Sequence, residues 1–438
     1  MSMTKDRVPL WVHNTLVPLF LLTVCPPTVF VFWHINTALD GSFIAFWQQV
    51  VQFGLFQTLA KIWGPVAFGS ATAWKILGIY ALFQLILMRL VPGKPFLGPV
   101  TPKGNVPVYK ANGFACYLIT FATFIVTSFG LGWFSPSIIF DHMGPMLGAL
   151  NVFSLCFCLF LYLKGRVFPS SSDHGVTGNP FFDYYWGTEL YPRIFGWDVK
   201  QFTNCRFGMM GWGLILLSYA AKQHELYGLS DSMVVSVALQ LFYISKFFLW
   251  EPGYLRSLDI MHDRAGFYIC WGCLVWLPCI YTSPSQYLVH HPIHLGLPLA
   301  SLILLAGTFS ILINYLADRQ RQIVRAKNGA CLVWRQTPIL IDAPYITETG
   351  EAKKTILLAS GWWGLSRHFH YIPEILASFF WSMPALFTHF MPYFYTIYLT
   401  ILLVDRAFRH DKRCADKYGN AWDAYCSRVK YKLIPYVF

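Results

Sequence analysis

Near the end of the chain, two stretches gather side chains that could hold a charged, flat molecule. "SGWWGLSRHFHY", residues 360–371, contains Trp363, Arg367, His368, His370 and Tyr371. Further on, Cys414, Tyr418, Trp422 and Tyr425 recur at helical spacing among Arg406, Arg409, Arg413 and Lys417. Guanidinium groups pair bidentately with phosphate, and aromatic faces accept a planar ring. The mixture suits a nucleotide with several phosphates. If residues 360–371 are helical, Trp363, Arg367 and Tyr371 share one face at i, i+4 and i+8, with His370 beside them and His368 turned away. A cytoplasmic basic rim for anionic lipid is the plainer alternative. No G-x-G-x-x-G follows a strand and no phosphate loop is present, so neither a Rossmann domain nor a P-loop is available.

A second group lies in "LWEPGYLRSLDIMHDRAGFY", residues 249–268, with Glu251, Asp259, His262, Asp263 and Arg264. Asp259 and His262 sit at i, i+3, where an acid and an imidazole on one helix face can hold or relay a proton. A polar connector is the alternative. Trp276 and Tyr281 follow in an apolar run, where a buried Tyr hydroxyl wants a partner. "GNPFFDYYWGTELYPR", residues 178–193, adds Asp183, Glu189 and Arg193 among interfacial aromatics. Cys270 and Cys273 form a C-x-x-C, but with no second such pair and no strand nearby they signal neither zinc nor redox chemistry. No metal site is expected.

The elements positioning these groups are membrane helices. The chain has 438 residues, of which 55% are hydrophobic and 12% charged. A soluble domain carries about 25% charged residues. Apolar spans fall near 15–36, 70–91, 113–134, 143–163, 208–221, 232–250, 266–282, 297–316 and a long region 374–404 broken by Pro384. The expectation is an all-α polytopic membrane protein with about nine or ten crossings. Residues 42–60 are expected to be interfacial, and Pro373 with Glu374 marks a helix start. Leu16–Phe32, after Lys5 and Arg7, is expected to be a retained signal anchor. The net charge of +12 fits basic cytoplasmic loops better than nucleic acid, which is not an expected partner. Arg319–Arg335 and the tail after Asp405 belong on the cytoplasmic side, and the long loop Arg166–Phe207 is a candidate functional loop.

At these motifs the chain resembles the membrane sterol reductase family of Δ14-, Δ24(28)- and 7-dehydrocholesterol reductases. The resemblance rests on "LLASGWWGLSRHFHY", "MPYFYTIYLTILLVDR", "RCADKYGNAWDAYC", "VKYKLIPYVF", "GTELYPR" and "LDIMHDRAGFYICWGCLVWLPCIYT", and covers about residues 90–438. Arg367-His368-Phe369-His370-Tyr371 is similar to the R-H-F-[NH]-Y of the Δ7 branch, in its plant form, where Δ14-type members have R-H-P-N-Y. The resemblance implies one continuous domain: residues 1–300 with the sterol-pocket segments, and 301–438 with a cytoplasm-facing NADPH pocket. It implies cofactor contacts at Arg321, Leu358, Trp363, His370, Tyr371, Cys414, Ala415, Asp416, Lys417, Tyr418 and Tyr425. Charge and spacing add Arg319, Arg367, Arg406 and His410. Glu251, Trp276 and Glu189 are candidates for the sterol side. Two departures stand out. Ala317 replaces a lysine common in animal members, a charge Arg319 could supply, and His410 stands where an acid is expected, with Asp411 the nearest substitute.

An isolated alkene is no electrophile, so the implied reaction starts with protonation. In a Δ5,7-diene, a proton at C8 leaves an allylic cation that hydride can capture. Tyr281 and the Asp259/His262/Asp263 group are the candidate donors, with Asp411 in reserve. The resemblance further implies a multi-pass endoplasmic reticulum protein that takes its sterol from the bilayer among membrane lipids, in possible association with other sterol-pathway enzymes. Alternatives are Δ14 specificity, an S-adenosylmethionine-dependent methyltransferase of the isoprenylcysteine type, and a non-catalytic sterol-binding scaffold.

Overall fold

A computed structural model describes residues 9, 11–346 and 350–438; Lys5 and Arg7 lie outside the described residues. The chain is a helical membrane bundle. Among the described residues, seven helices are long and apolar enough to cross a bilayer: Val12–Ala38, Ala71–Leu90, Gly113–Gly130, Met143–Val167, Asp231–Leu249, Phe267–His290 and Leu297–Ala326. We label the helices α1 Val17–Ala38, α2 Phe43–Phe53, α3 Leu55–Trp63, α4 Ala71–Leu90, α5 Gly113–Ile125, α6 Met143–Val167, α7 Met210–Tyr227, α8 Asp231–Leu249, α9 Ser283–His290, α10 Leu297–Ala326, α11 Tyr371–Ser382, α12 Phe394–Tyr418 and α13 Asn420–Arg428.

The remaining apolar runs also form helices, each with a reason to be less uniformly apolar. Helix α7 is buried along most of its length and carries Ser218 and Gln223 inward. The broken region near 374–404 becomes α11 and α12, which pack against each other across Pro384 and Pro392. Residues 43–63 form α2 and α3. Ser42 Oγ accepts from Ala45 N at 3.1 Å to start α2, and Gly54 at φ 80° separates the pair. Ile44, Trp47, Val51 and Phe56 stay exposed along this hairpin.

The segment Phe267–Tyr281 is a wide π-helix containing Pro278, so successive side chains are rotated by a smaller angle than in an α-helix. Cys270 and Cys273 are buried free thiols in it, and Cys273 Sγ accepts from Asn204 Nδ2 at 3.1 Å. The long loop after α6 is tied down rather than mobile in shape. Asp173 accepts from Thr101, Asn105 and Tyr191, and Asp183 accepts from the backbone and side chain of Thr177. On the basic side, an antiparallel hairpin pairs Leu340–Ile346 with Ala352–Leu358 and leans on α12 and α13.

Candidate functional site

The stretch 360–371 is not one helix. Trp362–Leu365 makes a single turn, Ser366 is extended (φ −154°, ψ 158°), and α11 starts at Tyr371, two residues before Pro373. The i, i+4, i+8 face expected for Trp363, Arg367 and Tyr371 therefore does not exist. The break occurs because residues 367 and 368 pair with the chain's end instead: Arg367 N donates to Tyr431 O and His368 N to Lys432 O, both at 3.0 Å.

Five of the expected residues still converge, from three segments. The Arg321 guanidinium carbon lies 3.9 Å from the Trp363 ring centroid, and Nη2 is 3.2 Å from Asp318. Trp363 is fixed at both ends, since Nε1 donates to Ala317 O at 2.8 Å and its carbonyl accepts from Tyr425 Oη at 3.2 Å. The His370 ring is 4.9 Å from Trp363 and 4.2 Å from Tyr371, and its buried Nδ1 has no hydrogen-bond partner among the described residues. Leu358 packs with Trp363, while Cys414 and Tyr425 share a small core with Trp422 and Leu357. Lys417 Nζ stands 3.8 Å over the Tyr345 ring and 5.3 Å from that of Tyr418. Ala415 and Asp416 are exposed on the outer side of α12.

His368, expected to point away, is instead 2% exposed. Its Nε2 is 3.0 Å from Asp411, and its ring stacks on Tyr371 at 5.4 Å and meets His410 edge-on at 5.1 Å. Arg367 does not face open space. Its Nη1 donates to Val429 O at 2.8 Å and Lys430 O at 3.0 Å, and Nη2 lies 3.3 Å from Asp411. Arg319 is separated from Arg321 and lines a different groove with Trp362.

The charges around this pocket favour an anion. Among the described residues Arg325, Arg413 and Lys417 have no carboxylate partner, although they surround Cys414. Burial, then Arg413, holds the Lys417 ammonium below its usual range. Burial, then His368 and Arg321, pulls His410 down to about 3, and burial with Arg321 puts His370 well below the usual imidazole value. Both imidazoles are neutral. Burial alone would raise Asp411, but His368, Arg367 and Lys432 outweigh it and keep the carboxylate ionised. His368, His410 and Asp411 bring ligand-type atoms within 4.8 Å of one another. Arg367 and Lys432, at 3.3 and 3.4 Å from Asp411, already compensate its charge, so a metal cation there would meet two fixed positive groups.

A second group is a packed cluster of aromatic rings in the bundle core. Trp212 is 5.8 Å from Tyr243, 5.5 Å from Tyr281 and 5.9 Å from Trp381, and Tyr281 is 4.4 Å from Tyr395. Trp276 sits 5.3 Å from Tyr398 with a buried, unpartnered Nε1. Sequence reasoning missed Tyr243 and Glu374, whose Oη and Oε1 are 2.5 Å apart. It also missed the polar link beside them. Lys246 Nζ donates to Asn314 Oδ1 at 2.6 Å, and Asn314 Nδ2 donates to His370 O at 2.9 Å.

The Asp259–His262 pair does not form, because the helix there is only Leu258–Met261. His262 Nδ1 meets Asp263 Oδ1 at 3.1 Å instead, and Asp259 pairs with Arg406 at 2.7 Å. Lys200 holds this segment. Its fully buried ammonium donates to the carbonyls of Asp259, Ile260 and Asp263 at 2.7–2.8 Å, and burial lowers it to about 8. Glu251 and Glu189 are saturated by structural partners. Glu251 meets Arg206 at 2.5 Å and Gly113 N at 2.8 Å, and Glu189 meets Lys164 at 2.8 Å.

Residues 17–438 match the Ergosterol biosynthesis ERG4/ERG24 family. The chain belongs to this family. It is 52% identical over 440 residues to 7-dehydrocholesterol reductase of Arabidopsis thaliana, covering 98% of this chain and 99% of that protein. Identity to the zebrafish (Danio rerio) 7-dehydrocholesterol reductase is 38% over 87% of this chain and 83% of the relative. A Delta(14)-sterol reductase of Methylotuvimicrobium alcaliphilum is 35% identical over 96% and 94%.

Proposed function

We propose that this chain, a sterol reductase by family, uses NADPH to reduce the C7–C8 double bond of Δ5,7-sterols at the endoplasmic reticulum membrane. The observation that carries the reading is the juxtaposition of a cation-rich aromatic cluster around Trp363 with a second aromatic cluster around Trp212, the two joined through α11 residues Tyr371 and Glu374. Higher identity to a full-length 7-dehydrocholesterol reductase than to a Delta(14)-sterol reductase supports Δ7 over Δ14.

The residues suit the cofactor. NADPH supplies a hydride when bound. Arg321 and Trp363 offer a cation and a flat face, and His370 has a free buried Nδ1. Arg325, Arg413 and Lys417 leave positive charge for phosphates. Leu358, Tyr371, Cys414, Tyr418 and Tyr425 shape the walls. The sterol, drawn from the bilayer, lies against the second cluster, where Trp276 Nε1 is an unused donor and π-faces stabilise a developing cation. Tyr281 and the Tyr243–Glu374 pair face Trp212 together and deliver the proton. Asp259, bound to Arg406, positions the segment between the two clusters.

Expression in cells that accumulate a Δ5,7-sterol, followed by mass spectrometry of the sterols, tests this. Loss of the Δ7 bond is the expected result. Reduction only of a supplied Δ8,14-sterol would establish Δ14 specificity instead. A melting temperature raised by S-adenosylmethionine rather than NADPH would favour a methyltransferase.

A further inference from the structure

Arg319 and Arg321 are two residues apart on α10 and so project about 200° apart. Arg321 faces Trp363, whereas Arg319 lies on the outer face of the helix, in a groove of about 320 Å³ that also takes in Leu316, Gln320, Ile323, Trp334 and Trp362. Arg319 is exposed and has no carboxylate partner among the described residues. Three further observations say what this groove accepts.

The first is its wall. Trp334 and Trp362 meet edge-on with centroids 5.1 Å apart, and tryptophan is enriched where a membrane meets water. The second is the turn that presents it. Val333 and Gln336 exchange backbone hydrogen bonds at 2.8 and 3.0 Å, and the two residues between them, Trp334 and Arg335, both have positive φ, 49° and 65°. Tight turns of this kind favour Asn-Gly, and bulky side chains adopt them only against steric resistance. The third is continuity. Leu302, Leu305, Phe309, Leu312 and Leu316 recur every three or four residues on α10, all exposed, and form one lipid-facing stripe that runs up to Arg319.

We propose that this groove binds an anionic glycerophospholipid. Its phosphate and headgroup charge meet Arg319 and Arg335, its glycerol region lies against Trp334 and Trp362, and an acyl chain follows the α10 stripe. The site backs onto the wall described above: Gln320 Oε1 accepts from Trp362 N at 3.0 Å, and the neighbouring residue is Trp363. The lipid site is distinct from the proposed nucleotide site, and lipid binding there is independent of which double bond the enzyme reduces.

Full-length protein in nanodiscs of phosphatidylcholine with phosphatidylserine, released and measured by native mass spectrometry, tests it. Wild type should retain phosphatidylserine over phosphatidylcholine, and a photoreactive phosphatidylserine should label residues 331–336. Arg319→Gln should cut that preference about fivefold, as loss of one basic group at an anionic surface does. Trp334→Gly, which relaxes the turn and removes the indole, should lower retention of both lipids. Arg335→Gln serves if Arg319→Gln does not fold. Equal retention of the two lipids by wild type, or a preference unchanged in the variants, overturns the proposal. So does full displacement by chain-free glycerophosphoserine, or an Arg319→Gln protein that keeps its phosphatidylserine but loses NADPH affinity.

Discussion

The Tyr243 hydroxyl and the Glu374 carboxylate lie 2.5 Å apart, joining α8 to the first turn of α11 across 131 positions of sequence. Tyr243 also looks onto Trp212, as Tyr281 does. A carboxylate that accepts the phenol's hydrogen bond orients its proton, and once it has itself taken up a proton from the medium it can restore the one the phenol gives up. Positioned acids contribute roughly 10²–10⁴-fold to rate. Glu374→Gln and Tyr243→Phe are each expected to lower kcat by about 100-fold while leaving NADPH affinity intact. Tyr281→Phe is expected to do likewise, by less. Unchanged turnover in a given variant removes that residue from proton delivery.

Arg321 gives the complementary result. It joins the Trp363 face to Asp318, and no other described cation stacks on that ring. Arg321→Ala is expected to weaken NADPH binding by about 10–100-fold, measured by fluorescence quenching of the tryptophans, with a smaller change in kcat at saturation.

Acid should loosen the pocket before it unfolds the membrane bundle. His410 is held at about 3 against an ordinary value of 6.5, so the unfolded segment binds a proton that the folded one refuses. Stability from this group is present above about 6.5 and is lost as pH falls through the window toward 3. Thermal stability is expected to fall across that window, and His410→Asn to flatten the profile at its upper end. A wild-type Tm that is constant from pH 7 to 5 would contradict this.

Glu251 separates structure from substrate contact. Its partner Arg206 is wholly buried, and Asn112 and Gln201 complete the network. Removing one member of such a pair strands the other charge, at about 3–5 kcal/mol. Glu251→Ala is expected to lower Tm sharply or abolish expression. If it folds normally and only raises the sterol KM, Glu251 belongs to the sterol site after all.

What the sequence revealed follows from the range of the forces involved. Apolar runs are local, so the membrane helices could be located from hydropathy alone, and Cys414 and Tyr418 fall on α12 as their spacing implied, but Gly419 (φ 49°) breaks the helix and puts Trp422 and Tyr425 on α13. His410 and Cys414, four residues apart, do meet at 3.6 Å. Arg367 shows where this ends. Helical spacing gave it a phosphate, but Ser366 breaks the helix, and the competitor was a backbone segment some 60 positions away. Tyr243 with Glu374, and Lys200 beneath residues 259–263, are contacts between distant segments that no periodicity announces.

The grip of residues 429–432 on Arg367 and His368 sets an order of assembly. Those carbonyls are made after all the helices of the bundle have been synthesised, so the wall of the nucleotide pocket is closed last. A product of premature termination just after Arg428 would insert into the membrane, keep its bundle and lack the clasp on Arg367. Such a product would carry an intact bundle with the segment around Arg367 and His368 left unclasped.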